Sequence, residues 1–325
     1  MRVKRLVLVV LATLLMAAAA GALYQTLSVR RDAVRFPPPG RLVDVGGGRR
    51  LHLLCIGDGR PTVIFEASMS SSSVSFAEAR AAIARRMRIC SYDRMGTGWS
   101  DGAPATISIG ALADDLDRLL DRAVASPPYI VEAASIGGLV AELYARRHPE
   151  RVAGLVFVDA GHSAVLESIA PRVTATVTAE ACLLPLAARL GLLRAIDPLG
   201  LRRAPAGDDA MWRIYRVEPM TMFCGIVRDR ETTLREFREA PPLRADVPLT
   251  VLTAESTGGL IPFGSAAQNE ELARDWLNLQ QQLSRRSSRG TWRMVAGSDH
   301  LIGNSQPHAV ATAVLELVDD IRSPE

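Results

Sequence analysis

Between Tyr129 and Tyr144 an apolar run, Tyr129-Ile130-Val131-Glu132-Ala133-Ala134, breaks at Ser135 and passes through Ile136-Gly137-Gly138. It then resumes as Leu139, Val140, Leu143 and Tyr144 at helical spacing before His148-Pro149. A short apolar run that ends in small residues reads as a buried strand, and the pattern after it reads as a helix face. The segment therefore predicts strand, sharp turn, helix, with Ser135 at the apex. Such a turn holds a hydroxyl clear of the sheet beside the first backbone N–H groups of a helix, which is what an acyl-transfer nucleophile needs. The local spacing is Ala-x-Ser-x-Gly, with Ala133 where glycine is commoner.

The rest of the chain supplies partners for that strand. Arg41 to Val45 and Leu51 to Ile56 flank a glycine turn at Gly46 to Gly48 and predict a hairpin. Pro61 to Phe65, Arg88 to Tyr92, Val152 to Val158, Pro248 to Thr253 and Trp292 to Val295 are further apolar runs of strand length. Helical patterns lie between them: Phe76, Ala79 and Ile83, opened by a Ser75/Glu78 capping box; Ile109, Leu112, Leu116 and Leu119; Leu272, Trp276, Leu279 and Leu283; and Val310, Val314, Leu317 and Ile321. Alternation of this kind predicts an α/β fold, a mostly parallel eight-stranded sheet covered on both faces, with the site built from loops at the strand carboxyl ends. From Gly161 to about Ala245 the alternation stops. That region is rich in leucine, Met211 to Val217 and Glu231 to Phe237 look helical, and Pro171, Pro185, Pro198, Pro205 and Pro219 keep its pieces short. It reads as a helical insertion.

Lys4 and Arg5 precede an uninterrupted apolar or small segment, Leu6 to Tyr24, after which Arg30, Arg31 and Arg35 restore charge. At ~1.5 Å per residue the segment is long enough to cross a bilayer core. An uncleaved signal anchor is the expectation, with a signal cleaved in the alanine-rich stretch Ala18 to Ala22 as its alternative. Both export the rest of the chain, to a membrane-anchored extracytoplasmic domain or a secreted one. The organisation expected is anchor and linker over 1–35, sheet core over 36–160 and 246–325, and insertion over 161–245. A formal charge of +3 spread over scattered arginines, with Lys4 the only lysine, argues against a nucleic-acid partner. Four cysteines, Cys55, Cys90, Cys182 and Cys224, match no zinc spacing and stand as structural thiols or disulfides.

In this order the parts resemble the α/β-hydrolase superfamily over roughly residues 41 to 325. The resemblance is carried by Ala133-Ala134-Ser135-Ile136-Gly137-Gly138, Asp93-Arg94-Met95-Gly96-Thr97-Gly98-Trp99-Ser100, Arg147-His148-Pro149-Glu150-Arg151-Val152 and Gly297-Ser298-Asp299-His300. It implies Ser135 as nucleophile and His300, in a glycine-led loop after the last strand, as its base. The acid is Asp159, at the carboxyl end of Leu155-Val156-Phe157-Val158, or alternatively Glu255, since the more usual position after Thr253 holds Ala254-Glu255-Ser256-Thr257. The backbone N–H groups of Ile136 and Met69 are the expected oxyanion hole, although Ser68 stands where relatives have glycine. The resemblance gives Asp93 and Arg94 the task of pinning the loop beside that hole, and places Cys55 beside Cys90 on neighbouring strands. It makes the insertion a cap over Ser135. Leu183, Leu184, Leu186, Leu190, Leu192, Leu193, Met211, Met220, Met222 and Phe223 give it abundant apolar surface, most of it for its own core.

The function implied is hydrolysis of an ester-like or amide-like bond in a small to medium apolar substrate, with no metal or organic cofactor. Two alternatives accompany it: a different reaction on the same scaffold, such as carbon–carbon bond hydrolysis or cofactor-free peroxidation, and a catalytically idle binding protein. A dehalogenase is disfavoured, because that chemistry needs a carboxylate where Ser135 stands.

Overall fold

The computed structural model describes residues 2–323 apart from 70, 105, 125–126, 170–181, 184, 197–216 and 257–264. The first element is a long helix, α1 (Arg2–Arg35), of a length and composition that can cross a membrane. The hairpin β1 (Arg41–Gly46) and β2 (Arg49–Ile56) follows. Gly46, Gly47 and Gly48 all take positive φ in its turn, a conformation glycine adopts without strain. Then come β3 (Val63–Glu66), α2 (Ala77–Ala84), β4 (Ile89–Tyr92), α3 (Ile109–Ala123), β5 (Tyr129–Ala134), α4 (Gly137–Arg147) and β6 (Val152–Val158).

The expected insertion contains helices α5 (Ser163–Ser168), α6 (Leu192–Ile196), α7 (Val217–Arg228) and α8 (Arg230–Glu239). Positions 211–216, expected to be helical, lie outside the described residues together with Pro171, Pro198 and Pro205. The chain closes with β7 (Leu249–Ala254), α9 (Ala266–Ser284), β8 (Gly290–Val295), α10 (Ile302–Ser305) and α11 (Pro307–Arg322).

The eight strands form one sheet in the order β1-β2-β4-β3-β5-β6-β7-β8. Only β1–β2 and β2–β4 pair antiparallel. Strand alternation divides the core into two faces. Ile64, Val131 and Tyr129 pack with Leu112, Leu116 and Leu143 of α3 and α4 on one face. Phe65 and Ile130 pack with Ile83, Val310 and Val314 of α2 and α11 on the other. With both faces covered, β5 is buried along its whole length, which is why its sequence is apolar almost without interruption. The strand order reverses at β3 and β5, so the loops leaving their carboxyl ends diverge and open a crevice there.

Three local findings modify the sequence reading. Helix α2 is not capped by Ser75 and Glu78: it begins at Ala77 with buried Phe76 at the cap in a left-handed conformation, φ 55°. Packing of the Phe76 ring, 5.3 Å from that of Phe65, takes precedence over capping, and the Ser75 hydroxyl instead accepts from Ser72 N–H. Second, Cys55 and Cys90 sit opposite each other in the β2–β4 register and are bonded, and Cys182 is bonded to Cys224, a pairing with no signal in the spacing. Each bridge closes a loop of the size for which chain entropy predicts stabilisation of about 4 kcal/mol. Third, of the insertion's apolar residues, most of them expected in its own core, Leu183, Leu186 and Leu192 are exposed.

Candidate active site

Ser135 follows the last residue of β5 and adopts φ 52°, one of three positive-φ non-glycine residues among those described. A left-handed serine costs on the order of 1 kcal/mol and needs surrounding structure to hold it. That structure is specific: the Ser135 carbonyl accepts from Gly138 N–H at 3.0 Å and from Gly161 N–H at 2.8 Å, while its own N–H donates to the Val158 carbonyl. The two glycines after it are sterically required. A Cβ on Gly137 would lie 2.5 Å from the Glu66 carbonyl oxygen and 2.6 Å from that of Ala67, and one on Gly138 would lie 2.4 Å from the Gly161 carbonyl oxygen. Helix α4 thus starts wedged between the chain leaving β3 and the chain leaving β6. Alanine at position 133 is harmless by comparison, because its methyl group is buried in the core cluster.

His300 lies in the loop after β8 with its side chain 29% exposed. Its Nε2 is 2.9 Å from Ser135 Oγ, and its Nδ1 is 2.6 Å from Asp159 Oδ2. Asp159 is fully buried and has φ 44°. Its Oδ1 accepts from the indole N–H of Trp276 at 2.8 Å and from Ala254 N–H at 3.2 Å. One carboxylate oxygen is therefore fixed by α9 and β7, which leaves the other for the imidazole. The Trp276 ring also stands edge-on to His300, with centroids 6.0 Å apart.

Glu255 is not beside the imidazole. It accepts from Gly297 N–H at 2.7 Å, and Ser298 Oγ accepts from Glu255 N–H at 3.3 Å. Its carboxylate braces the loop that carries His300, from the far side of the glycine. Trp276 is the residue that sequence reasoning placed only in a helix core. The available signal was its type: a buried indole carries an N–H that requires an acceptor.

The loop after β3 is held from beneath. Arg94 donates to the carbonyls of Ala67 and Ser68 at 2.5 and 2.6 Å and forms a salt bridge with Glu66, whose other oxygen accepts from the Tyr92 hydroxyl. Burial pushes the Glu66 carboxyl up, and Arg94 opposes that shift. The hydroxyl of Ser68 is turned into its own loop, 2.5 Å from Ser71 Oγ. Met69 follows, part-buried against the core. Asp93 accepts from Ser73 N–H at 2.6 Å and from Trp99 N–H at 3.0 Å. Gly98 allows this, since a Cβ there would fall 2.2 Å from the Asp93 carboxylate. The Asp93-Arg94 pair is structurally committed to shaping the two loops beside Ser135.

On the other side, buried Glu142 of α4 receives Ser163 N–H and Ser163 Oγ, at 2.7 and 2.8 Å, and Arg286 at 2.7 Å. This ties the start of the insertion to the sheet. Burial of His162 beside these groups pushes its imidazole down to about 4, with Glu142 opposing the shift.

A family model described as alpha/beta hydrolase fold matches residues 61–180. An uncharacterized protein of Schizosaccharomyces pombe is 28% identical over 225 residues, covering 66% of this chain, and the match spans 38% of that relative's length. Among solved structures, a thermophilic esterase from Thermogutta terrifontis superposes with a TM-score of 0.58 at 18% identity, covering 87% of this chain and 100% of the esterase. A laboratory-evolved variant of potato epoxide hydrolase does so with a TM-score of 0.63 at 18% identity, covering 86% of this chain and 98% of that one. The fold is the one these proteins share.

Proposed function

We propose that this chain, which has the α/β-hydrolase fold, is a serine hydrolase held at a membrane by α1. It cleaves an ester-like or amide-like bond of a small to medium apolar substrate through an acyl-enzyme on Ser135. The observation that carries the reading is the continuous path from Ser135 Oγ through His300 to Asp159, at 2.9 and 2.6 Å.

His300 Nε2 takes the hydroxyl proton as Ser135 Oγ attacks the acyl carbon, and Asp159 accepts from Nδ1–H and stabilises the imidazolium. The tetrahedral oxyanion is met by the N–H groups of Ile136 and Met69. Its collapse breaks the acyl bond, and the imidazolium gives its proton to the departing alcohol or amine. A water molecule, deprotonated by the same nitrogen, then attacks the acyl-enzyme. The acid is released and the proton returns to Ser135. Of the two carboxylates considered, Asp159 fits this role, because Glu255 is engaged with Gly297 N–H.

The likeness in fold to an esterase and to an epoxide hydrolase supports hydrolytic chemistry. Two disulfides, with no free cysteine among the described residues, support an oxidising, extracytoplasmic setting. The insertion over 161–245 is the cap in this reading, tied to the sheet through Glu142 and Ser163. A fluorophosphonate probe applied to the folded full-length protein tests the proposal. Labelling that maps to Ser135 and vanishes in Ser135→Ala is expected, and absence of labelling in the folded wild type overturns it.

A further inference from the structure

Helix α1 is more than a tether. Its apolar window has no residue buried, but from Gly21 onward one face is covered. Gly21, Gln25, Ser28 and Asp32 recur at i, i+4, i+7 and i+11, a single stripe along a helix. Gln25 and Ser28 are buried although polar. The insertion covers them: Arg194 of α6 donates to Gln25 Oε1 at 3.3 Å and pairs with Asp32 at 2.7 Å. A Cβ on Gly21 would lie 2.3 Å from the Leu190 carbonyl oxygen, so backbone touches backbone there, and Gly191 meets the same turn with positive φ.

This contact fixes depth. Gly21 belongs to the apolar run that ends at Tyr24, so when that run occupies a bilayer core, the segment 190–191 lies at the level where the core ends. The residues around it suit that position. Leu183, Leu186 and Leu192, all on the short stretch that runs through Gly191 into α6, are 64%, 54% and 51% exposed, more apolar surface than a singly scattered leucine presents. Exposed Arg30, Arg31 and Arg35 follow Tyr24 by roughly 9 Å or more along the axis, at the level of lipid phosphates. A cleft of about 1050 Å³ between α1 and Arg194 has Tyr24, Leu27 and Val34 on its wall with Arg30 and Arg31, apolar and cationic together as an amphiphilic surface requires.

From this juxtaposition we propose that the insertion docks on the lipid bilayer through Leu183, Leu186 and Leu192, with Arg30, Arg31 and Arg35 at the headgroup phosphates, so that the enzyme draws its substrate from the membrane. The inference rests on α1 as an uncleaved membrane helix and, for the substrate clause, on the serine-hydrolase reading. The Gly21-to-Asp32 stripe favours the uncleaved form, since cleavage within Ala18 to Ala22 would cut at the end of the surface that the insertion covers.

The test uses the full chain in vesicles of phosphatidylcholine and phosphatidylglycerol in which part of the phosphatidylcholine carries bromine near the headgroup end of its acyl chains. Leu186→Trp and Leu192→Trp are compared with Asp246→Trp, at a position 72% exposed in the loop before β7, after subtraction of the parent's fluorescence. Docking requires the added fluorescence at 186 and 192 to be quenched at least about twofold more than at 246. Equal quenching at all three positions overturns it, whether water or a second copy of the chain covers the leucines. In a second arm, Leu183, Leu186 and Leu192 are changed together to serine. The expected result is a rise of about tenfold in KM for an ester embedded in the vesicles, with turnover of a soluble short-chain aryl ester unchanged. Equal change toward both substrates overturns delivery from the membrane. If no ester is cleaved by the wild type, the hydrolase reading falls, while the bromine measurement still decides the docking.

Discussion

The described residues hold two serine–histidine–aspartate clusters, and one of them has the geometry that the proposed mechanism requires. In the first, His300 lies between its partners, Nδ1 to Asp159 and Nε2 to Ser135 Oγ, and remains partly open to solvent. In the second, His52 points a single nitrogen at both partners: Nδ1 is 3.0 Å from Asp93 and 2.9 Å from Ser73 Oγ. Its Nε2 accepts from Gly40 N–H at 3.0 Å, and the ring is wholly buried against Trp99. A base must present a lone pair to the hydroxyl while the acid holds the opposite nitrogen. His52 has spent that lone pair on the backbone. The same residue types thus take the arrangement of the proposed relay in one place and of a brace in the other, and the difference is which ring nitrogen faces which partner.

The largest effect tests the relay at its reacting atom. Ser135→Ala should lower kcat toward aryl esters by about 10⁴-fold or more with little change in melting temperature. A residual activity within tenfold of wild type would transfer the nucleophile's role elsewhere and erase the distinction between the clusters. Next in size, Asp159→Asn should reduce kcat by roughly 10²- to 10⁴-fold, because an amide at that place no longer holds Nδ1–H toward it. The brace predicts the opposite pattern. His52→Ala removes one buried partner from Asp93 and one acceptor from Gly40, and should lower unfolding stability by about 3 kcal/mol in urea. The kcat of the protein that remains folded should stay within a few-fold of wild type. If kcat fell as far as in Asp159→Asn at unchanged stability, the brace would have to be counted among the groups that act on substrate.

A second fully buried histidine, His162, differs again in its surroundings. His162 has its imidazole pushed down to about 4 by burial, so it is neutral in the fold and charges on unfolding near 6.5. A depressed folded value means that its contribution is intact above pH 6.5 and is lost as pH falls toward 4, a loss on the order of 3 kcal/mol. Melting temperatures measured between pH 7 and 4 should therefore fall more steeply in the wild type than in His162→Gln.

How much of this was legible in the sequence depends on the range of the forces involved. The strand–turn–helix at Ser135 is local: apolar periodicity and the pair Gly137-Gly138 encode it, and the eight-stranded sheet follows from the same periodicity repeated. The bridge Cys55–Cys90 followed from strand order once the resemblance supplied it. What was hidden is tertiary. No spacing announces that Trp276, over a hundred residues from Asp159, fixes the carboxylate oxygen that His300 does not use. The false capping box at Ser75 arose because a three-residue spacing is common, whereas the burial of Phe76 that prevailed depends on Phe65 and on Gly303, where a Cβ would strike the Phe76 ring at 2.3 Å. The stripe Gly21, Gln25, Ser28, Asp32 was visible in principle, as helical periodicity of small and polar residues just past an apolar run. Its meaning needed Arg194, from a region whose own pattern is weak.

The smallest expected effect separates the two carboxylates that the sequence left in competition. Glu255 and Asp159 both follow apolar strands and both reach the His300 loop, but Glu255 touches it through Gly297 N–H, three residues before the imidazole. Glu255→Gln keeps an acceptor of the same shape and removes only the charge, so a bond to a backbone N–H survives in weakened form. The loop has other anchors, since Ser298 Oγ donates to the Val295 carbonyl at 2.6 Å and the Ser298 carbonyl accepts from Ser256 N–H at 3.1 Å. The substitution should therefore change kcat by no more than about threefold, without altering the pH profile of kcat/KM, because no proton shared with His300 is involved. A loss comparable to that of Asp159→Asn, or a displaced acidic limb in that profile, would show that Glu255 reaches the imidazole in the working enzyme and that the cluster at Ser135 has two acids where the geometry gives it one.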